Sequence, residues 1–378
     1  MRILISIHHE LDSDSGAPGV TCRLADALRR RGHSVDILSF QRIRTPAKLK
    51  GLAYPWFVAS FLLTHREYDV LDLSSGDGWV FGVLRKIGGN KMPLLVARSH
   101  GLEHLAHQAR VKAHRNAGAA LSWKYPIYHG GYRLWECGTS FTHADAALFL
   151  NPVDLTYAVE RLGVKPQHAA CIRNGIAEVF VHRAEALLQA GSTNRKPANV
   201  AFIGRYTPMK GSEVLRRAII PLLSEDSGRK LGLFGTTIDR ATILAGFPPE
   251  LHEQVEVVPR YRNEDLPDLL AGYDVLAFPS LSEGFSIAPL EAMACGLVPV
   301  VSATPGPASY LENRCNGVLV PVGDAHMLQD EIAKLFNGPS EWQRLRVGAL
   351  STAARFSWDS IAAEAEQLYE AFSRRLRR

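Results

Sequence analysis

Along this chain, short runs of β-branched and aliphatic residues alternate with segments whose apolar positions recur every three to four residues. Ile3 to Ile7, Ser34 to Phe40, Val70 to Leu73, Leu94 to Arg98 and Ala146 to Leu150 predict strands, and Val20 to Arg31 predicts a helix closed by Gly32. The polar, Gly- and Pro-bounded stretch Gly191-Ser-Thr-Asn-Arg-Lys-Pro is the best linker candidate, and the pattern restarts after it. Strands are then expected at Asn199 to Ile203, Lys230 to Phe234, Val255 to Val258, Val275 to Phe278 and Val298 to Val301, with helices at Ser212 to Leu223, Leu266 to Gly272 and Pro289 to Cys295. The stretch from His104 to Trp135, rich in His, Tyr, Trp and Gly, fits neither period.

Strand–helix–strand order calls for parallel strands with helices packed on both faces. Two successive patterns of this kind predict an α/β chain of two Rossmann-like, doubly wound domains, residues 1–175 and 176–357, with a helix over 358–378 that packs back on the first. The length of 378 residues agrees, since it exceeds what one hydrophobic core usually organises. In open α/β sheets ligands sit beyond the carboxyl ends of the strands, so the functional residues are expected on post-strand loops of both halves, facing across a cleft.

Composition narrows the class. Hydrophobic residues make up 46% and charged residues 21% of the chain, which sets aside disordered and fibrous proteins. Cys22, Cys137, Cys171, Cys295 and Cys315 are scattered without ligand spacing, which argues against a disulfide framework and a zinc site and for a reducing, cytoplasmic setting. The opening Met1-Arg-Ile-Leu-Ile-Ser-Ile is too short for a signal peptide and reads as a strand. No apolar run approaches the roughly 20 residues of a membrane span.

Charge is unevenly divided. Residues 1–175 hold 22 Lys/Arg against 14 Asp/Glu, and the remainder 21 against 24, so the first half carries +8 and the second −3. The first half is therefore expected to meet something anionic. Nucleic acid is disfavoured, because no binding motif accompanies the charge. The basic run from Arg42 to Lys50 leads into Tyr54-Pro-Trp-Phe-Val-Ala-Ser-Phe-Leu-Leu, a pattern shared by membrane-surface elements and by ordinary amphipathic helices with one solvated face. Peripheral contact with an anionic inner membrane surface is one expectation from it.

Two loops carry the chemistry. Phe278-Pro-Ser-Leu-Ser-Glu-Gly-Phe-Ser-Ile-Ala-Pro-Leu-Glu joins a buried strand to a helix and flanks the backbone of Gly284, Phe285 and Ser286 with two carboxylates, Glu283 and Glu291. Carboxylates beside unpaired helix-start amides suit a ligand bearing many hydroxyls. Read alone, two glutamates eight apart are solvated surface charges; the strand and the small-residue loop change that reading. Phe202-Ile-Gly-Arg-Tyr-Thr-Pro-Met-Lys-Gly-Ser is the second loop, where a turn at Pro208 brings Arg205 and Lys210 together beside a helix start, as a diphosphate clamp requires. A third element, Asp14-Ser-Gly-Ala-Pro-Gly-Val, offers Gly16 for close approach of backbone to phosphate.

Together these motifs resemble the GT-B retaining glycosyltransferases of family 4, the glycosyltransferase group 1 type, over essentially the whole chain. Arg173-Asn-Gly-Ile176 and Leu28-Arg-Arg-Arg-Gly-His-Ser-Val are similar to further family segments. The resemblance implies that Glu291 holds the donor ribose, Arg205 and Lys210 neutralise the diphosphate, and Glu283 lies beside the transferred sugar with the amides of Gly284, Phe285 and Ser286. It also implies that Gly16 approaches the phosphates, that His100, in Arg98-Ser-His-Gly-Leu-Glu-His, contacts the sugar, and that Arg260 and Tyr261 sit where the family holds the base. His8, His9, His104 and His107 are read as structural. Where relatives show Gly-Gly in the first loop, this chain has Ser15-Gly16.

The implied reaction moves a hexose from a UDP- or GDP-linked donor to a glycan, lipid-linked or small acceptor, by front-face displacement, with no cofactor and no metal. A non-catalytic nucleotide-sugar-binding or scaffold protein of the same fold is the alternative. A nicotinamide-dependent dehydrogenase is weaker, because Gly16-Ala-Pro-Gly19 is not G-x-G-x-x-G.

Overall fold

The computed structural model describes residues 1–12, 16–85, 93–116, 118, 120–191 and 196–376. The chain divides into two compact units, Met1–Gly175 with Trp358–Arg378, and Ile176–Ser357. In the first, strands β1 (Arg2–Ile7), β2 (Ser34–Ser39), β3 (Val70–Ser74), β4 (Leu94–Arg98), β5 (Ala146–Phe149) and β6 (Ala169–Cys171) form one sheet in the order β2-β1-β3-β4-β5-β6. Every pairing is parallel; Ile5, for example, lies between Ile37 and Asp72.

The second unit repeats the plan. Strands β7 (Val200–Ile203), β8 (Leu231–Phe234), β9 (Val255–Val258), β10 (Val275–Phe278), β11 (Val298–Ser302) and β12 (Val318–Val320) form a parallel sheet in the order β12-β11-β10-β7-β8-β9. Helices cover both sheets because each parallel strand must be reached by a crossover, and apart from Arg2 at the start of β1 the inner strands are buried along their whole length. The two sheets with their helices are the α/β arrangement expected from the sequence.

Departures from the predicted elements have local causes. The first helix begins at Gly16 rather than Val20, since Pro18 falls in its first turn, where a missing N–H costs nothing. Gly16 is thus a helix-start residue, while Asp14 and Ser15 lie outside the described residues, as do 192–195 of the proposed linker. The stretch 104–135 is mostly helical: Glu103–Asn116, Tyr125–Ile127 and the start of Arg133–His143, with a π-turn at Tyr128–Tyr132. That turn shifts the phase of the apolar face, so no single period fits the segment. The helix expected over Leu266 to Gly272 stops at Leu269. Strands β6 and β12 were not predicted; each is only three residues long, and β6 is Ala-Ala-Cys.

The helix Trp358–Leu376 packs on the helix Gly16–Arg30 and on β4. Exposed ion pairs, Arg30–Asp359 at 2.8 Å and Arg31–Glu366 at 2.6 Å, edge the contact. Its anchor is buried: Tyr369 donates to Asp72, and Arg98 spans both, with its guanidinium 2.6 Å from Asp72 and 3.2 Å from the Tyr369 hydroxyl. Among the described residues no helix is long and apolar enough to cross a membrane.

Replacing Asp72 with Ala leaves the Arg98 charge buried and should cost about 3–5 kcal/mol. Tyr369→Phe removes both hydrogen bonds of the phenol, the one donated to Asp72 and the one accepted from Arg98, but keeps the ion pair, and should cost less, about 1.5–3 kcal/mol. Urea unfolding of the two variants checks the ranking, and equal losses would contradict it.

Candidate functional site

In the second unit the strand order reverses between β7 and β10, so their following loops diverge and leave a crevice at the carboxyl edge. The loop after β7 and the loop after β10 meet there. Gly211, at φ +74°, turns the chain into the helix Ser212–Glu225, and a Cβ on it would lie 2.0 Å from the Pro279 carbonyl oxygen, so only glycine allows this contact. Leu281 N–H then donates to the Met209 carbonyl at 2.9 Å.

This juncture brings Lys210 Nζ to 2.6 Å from Glu283 Oε1. Ser280 Oγ donates to the same oxygen at 2.5 Å. The Glu283 side chain is 10% exposed and that of Lys210 30%, so the pair is largely shielded from water. The ammonium also lies 5.7 Å from the centre of the Phe278 ring. Arg205 is exposed on the same loop, and among the described residues its guanidinium has no charged partner.

Glu291 is buried at 6% exposure in the helix Ala288–Ala294, and Asn263 Nδ2 donates to its Oε1 at 2.8 Å. Between the two glutamates, Phe285 is buried against Tyr310 and Phe356. Ser286 has φ +67°, a left-handed conformation that costs energy for a non-glycine residue, and Tyr310 donates to its carbonyl at 2.8 Å. Gly306 backs this loop: its N–H donates to the Glu283 carbonyl at 3.0 Å, and a Cβ there would approach the Phe285 backbone to 2.6 Å. Tyr261 lies against Gly235 in the turn after β8, and Arg260 is exposed after β9. Arg205, Lys210, Glu283, Gly284, Phe285 and Ser286 thus lie on the segments that leave β7 and β10, Glu291 in the helix that follows the second of them, and Arg260 and Tyr261 on the loop that leaves β9.

The first unit reverses its order between β1 and β3, and a second polar cluster occupies that point. His8, just beyond β1, bonds through Nδ1 to Asp77 at 2.9 Å and through Nε2 to Arg133 at 3.0 Å. Arg133 has only protons to give, so His8 Nε2 accepts and Nδ1–H donates. Ser6 donates to the other Asp77 oxygen at 2.7 Å. Arg133 continues to Glu136 at 2.8 Å and Glu103 at 3.5 Å. Burial alone would push the Glu103 carboxyl up, but the Arg133 charge and a hydrogen bond from Ser75 hold it below its ordinary range.

His100 follows β4, and its Nε2 meets Ser74 Oγ at 2.9 Å. The Ser74 hydroxyl already donates to the Ser6 carbonyl at 2.7 Å, so His100 Nε2–H is the donor and Nδ1 is left to accept. Burial, and then the Arg98 charge, push this imidazole down to about 4, so it is neutral at neutral pH. Gly16 starts the helix that follows β1.

Sequence reasoning missed His8, Asp77, Glu103, Arg133 and Glu136, because the residues come from four separate segments. The i, i+3 spacing of Arg133 and Glu136 on one helix face was the available signal. The neighbouring cavity, of about 140 Å³, is lined by Glu103, His107, Arg110, Tyr125, His129 and Arg133, among others. His107 stacks on Tyr125 at 5.6 Å, and Arg110 lies 5.7 Å from the same ring. Among the described residues no three His, Cys, Asp or Glu side chains converge to hold a metal ion.

Residues 197–338 match the family model Glycosyl transferases group 1. The chain is 32% identical over 180 residues to the D-inositol 3-phosphate glycosyltransferase of Salinispora arenicola, covering 45% of this chain and 40% of that protein. It is 28% identical over 334 residues to the Corynebacterium diphtheriae protein of the same name, covering 81% and 71%. The alignment to the Salinispora relative therefore spans less than half of that protein's length. Among solved structures, sucrose-phosphate synthase of Thermosynechococcus elongatus superposes with TM-score 0.75 at 19% identity, covering 98% of this chain and 99% of that one. Alr3699/HepE of Anabaena, in complex with UDP, superposes with TM-score 0.69 at 18% identity, covering 98% and 100%.

Between the ordinary imidazole value of 6.5 and about 4, the unfolded chain takes up a proton that folded His100 refuses. The stability this site contributes is complete above the upper value and is lost as pH falls toward the lower one. His100→Gln should flatten the fall in unfolding midpoint across that window, measured by thermal unfolding in a pH series; an unchanged slope would assign it to other groups.

Proposed function

We propose, because residues 197–338 match the Glycosyl transferases group 1 model and the chain has the GT-B fold, that it is a retaining glycosyltransferase using a nucleotide diphosphate sugar. The observation that carries this reading is the meeting of Lys210 and Glu283 at the strand-order reversal of the second sheet. A cation there and the exposed Arg205 suit a leaving diphosphate, whose growing charge needs fixed positive groups in a shielded site. Donor phosphates would draw Lys210 from Glu283, releasing that carboxylate to the sugar hydroxyls. Glu291, held by Asn263, suits the ribose, and Arg260 and Tyr261 suit the base.

In the proposed step the bond from the sugar anomeric carbon to the β-phosphate oxygen breaks, and the acceptor oxygen bonds to that carbon on the same face. The acceptor proton passes to the departing phosphate, so nothing further is consumed. With the donor bound, Glu283 is assigned to the sugar hydroxyls while Ser280 still donates to its Oε1, so this route needs no bond from Glu283 to the anomeric carbon. Charge stabilisation is assigned to Arg205 and Lys210, without a metal or other cofactor.

UDP and UDP-glucose, the ligands named for the Anabaena protein, are the first donors to test, with GDP-sugars next. The acceptor is assigned to the first unit, where neutral His100 suits a sugar hydroxyl. The cations beside the first-unit cavity, with the buried and unpartnered Glu103 Oε2, suit a polyol that also carries an anionic group. The name shared by the bacterial relatives makes an inositol phosphate the first to try, ahead of glycan and lipid-linked acceptors.

Thermal unfolding against UDP, GDP, ADP and CMP checks the donor site, since a ligand at 100 times its Kd adds about 2.7 kcal/mol to stability. One base should shift the midpoint, equally with and without EDTA; silence across the panel would move the reading to a scaffold role. Lys210→Ala should lower kcat/KM by about 10²–10³-fold with little change in unfolding midpoint. Undiminished turnover in that variant would refute the clamp.

A further inference from the structure

The helix Ala47–Thr64 turns its inner side, with Tyr54, Pro55, Val58, Ala59 and Leu62, into the core of the first unit. An ordinary amphipathic helix would then show water a polar face. This one does not. At 100° per residue, Leu49, Leu52, Trp56 and Leu63 fall within about 60° of one another on the outer side. They are 51%, 39%, 58% and 49% exposed.

The apolar surface continues sideways. Trp56 meets Trp79 edge-to-face at 5.6 Å, and Trp79 meets Trp135 at 4.9 Å, with Trp135 itself 53% exposed. Val83 and Leu84, on the adjacent helix Trp79–Leu84, are 37% and 41% exposed. A contiguous patch of this kind on a protein surface marks a docking site. The residues leading into the helix are Arg42 and Arg44, and Lys48 lies in its first turn; all three are exposed, and residues 41–66 include no Asp or Glu.

We propose that this face docks on an anionic lipid bilayer, with Trp56, Trp135 and the leucine stripe in the headgroup–acyl boundary and Arg42, Arg44 and Lys48 on the lipid phosphates. Aliphatic side chains beside tryptophan indoles match that boundary, where one end of the ring is apolar and the other wet. Lys50 of the same turn is paired with Glu10 at 3.2 Å, whereas Arg42, Arg44 and Lys48, on a segment that itself carries no Asp or Glu, complement an anionic leaflet in a way that salt screens. The inference stands apart from the transfer reaction, since none of these side chains belongs to the donor or acceptor groups described above.

Flotation of the full chain with vesicles of two parts phosphatidylcholine to one part phosphatidylglycerol tests it, beside vesicles of phosphatidylcholine alone. The wild type should float with the anionic vesicles at low salt, at least tenfold less with the neutral ones, and less as salt rises. Leu52→Gln/Trp56→Gln should reduce flotation at least tenfold while keeping the wild-type unfolding midpoint and its shift with nucleotide. Arg44→Glu/Lys48→Glu should remove the preference for anionic lipid. Absence of flotation at low salt overturns the proposal, as does equal flotation of the Leu52/Trp56 variant. A wild type that instead self-associates, and is made monomeric by that variant, also overturns it and makes the patch a contact between copies. Because the nucleotide shift is read on the same samples, loss of lipid binding and loss of the donor site are told apart.

Discussion

Parallel pairing is the constraint on which the rest of this molecule depends. A strand that must run the same way as its neighbour can be reached only by a crossover, so every helix returns the chain to the same edge and every post-strand loop leaves from the opposite one. Where the order reverses, at β1/β3 in one unit and β7/β10 in the other, adjacent loops part instead of closing over each other. The charged side chains gather at these two places: His8, Asp77, Arg133 and Glu136 at the first, Lys210 and Glu283 at the second.

Both clusters, like the Asp72–Arg98 anchor, are built from carboxylates that would be costly to bury alone. Asp72 has Arg98, Asp77 has His8 and Ser6, Glu136 has Arg133, Glu283 has Lys210 and Ser280, and Glu291 has Asn263. Such pairing offsets desolvation without adding much net stability. Its larger effect is to fix positions, so the polar groups are already oriented when a ligand arrives and only partners have to change. Two glycines make the second cluster possible sterically, since a methyl group at Gly211 would push the Lys210 loop off Pro279, and one at Gly306 would displace the backbone at Phe285, two residues after Glu283.

The fold was legible because the inner parallel strands are short apolar runs. Eight of the ten strands read from the sequence are inner ones, and the edge strands Ser34–Ser39 and Val255–Val258 carry β-branched residues as well, while Ala169–Cys171 lacks them and Val318–Val320 is too short to carry a period. The second-unit loops were equally readable, because Glu283, Glu291 and the glycine loop between them share one continuous segment, and so do Arg205 and Lys210. The Arg133 cluster was not, because its members are scattered over 129 positions from His8 to Glu136 and meet only through the sheet. The helix Ala47–Thr64 shows a different limit. Its residues are apolar on both sides, so no period separates the face against the core from the face against water, and only the packing of Tyr54 and Val58 does so.

The buried Asp72–Arg98–Tyr369 contact also orders events during synthesis. Asp72 and Arg98 leave the ribosome early, but Tyr369 follows 271 residues after Arg98, once the whole of Ile176–Ser357 has been made. At roughly 5–20 residues per second, that interval lasts on the order of 10–60 s. Throughout it, the surface of Gly16–Arg30 that later receives Trp358–Leu376 is uncovered, and the buried ion pair lacks its phenol. The first unit to be translated is therefore the last to be completed, and the second, uninterrupted in sequence, is free to fold first.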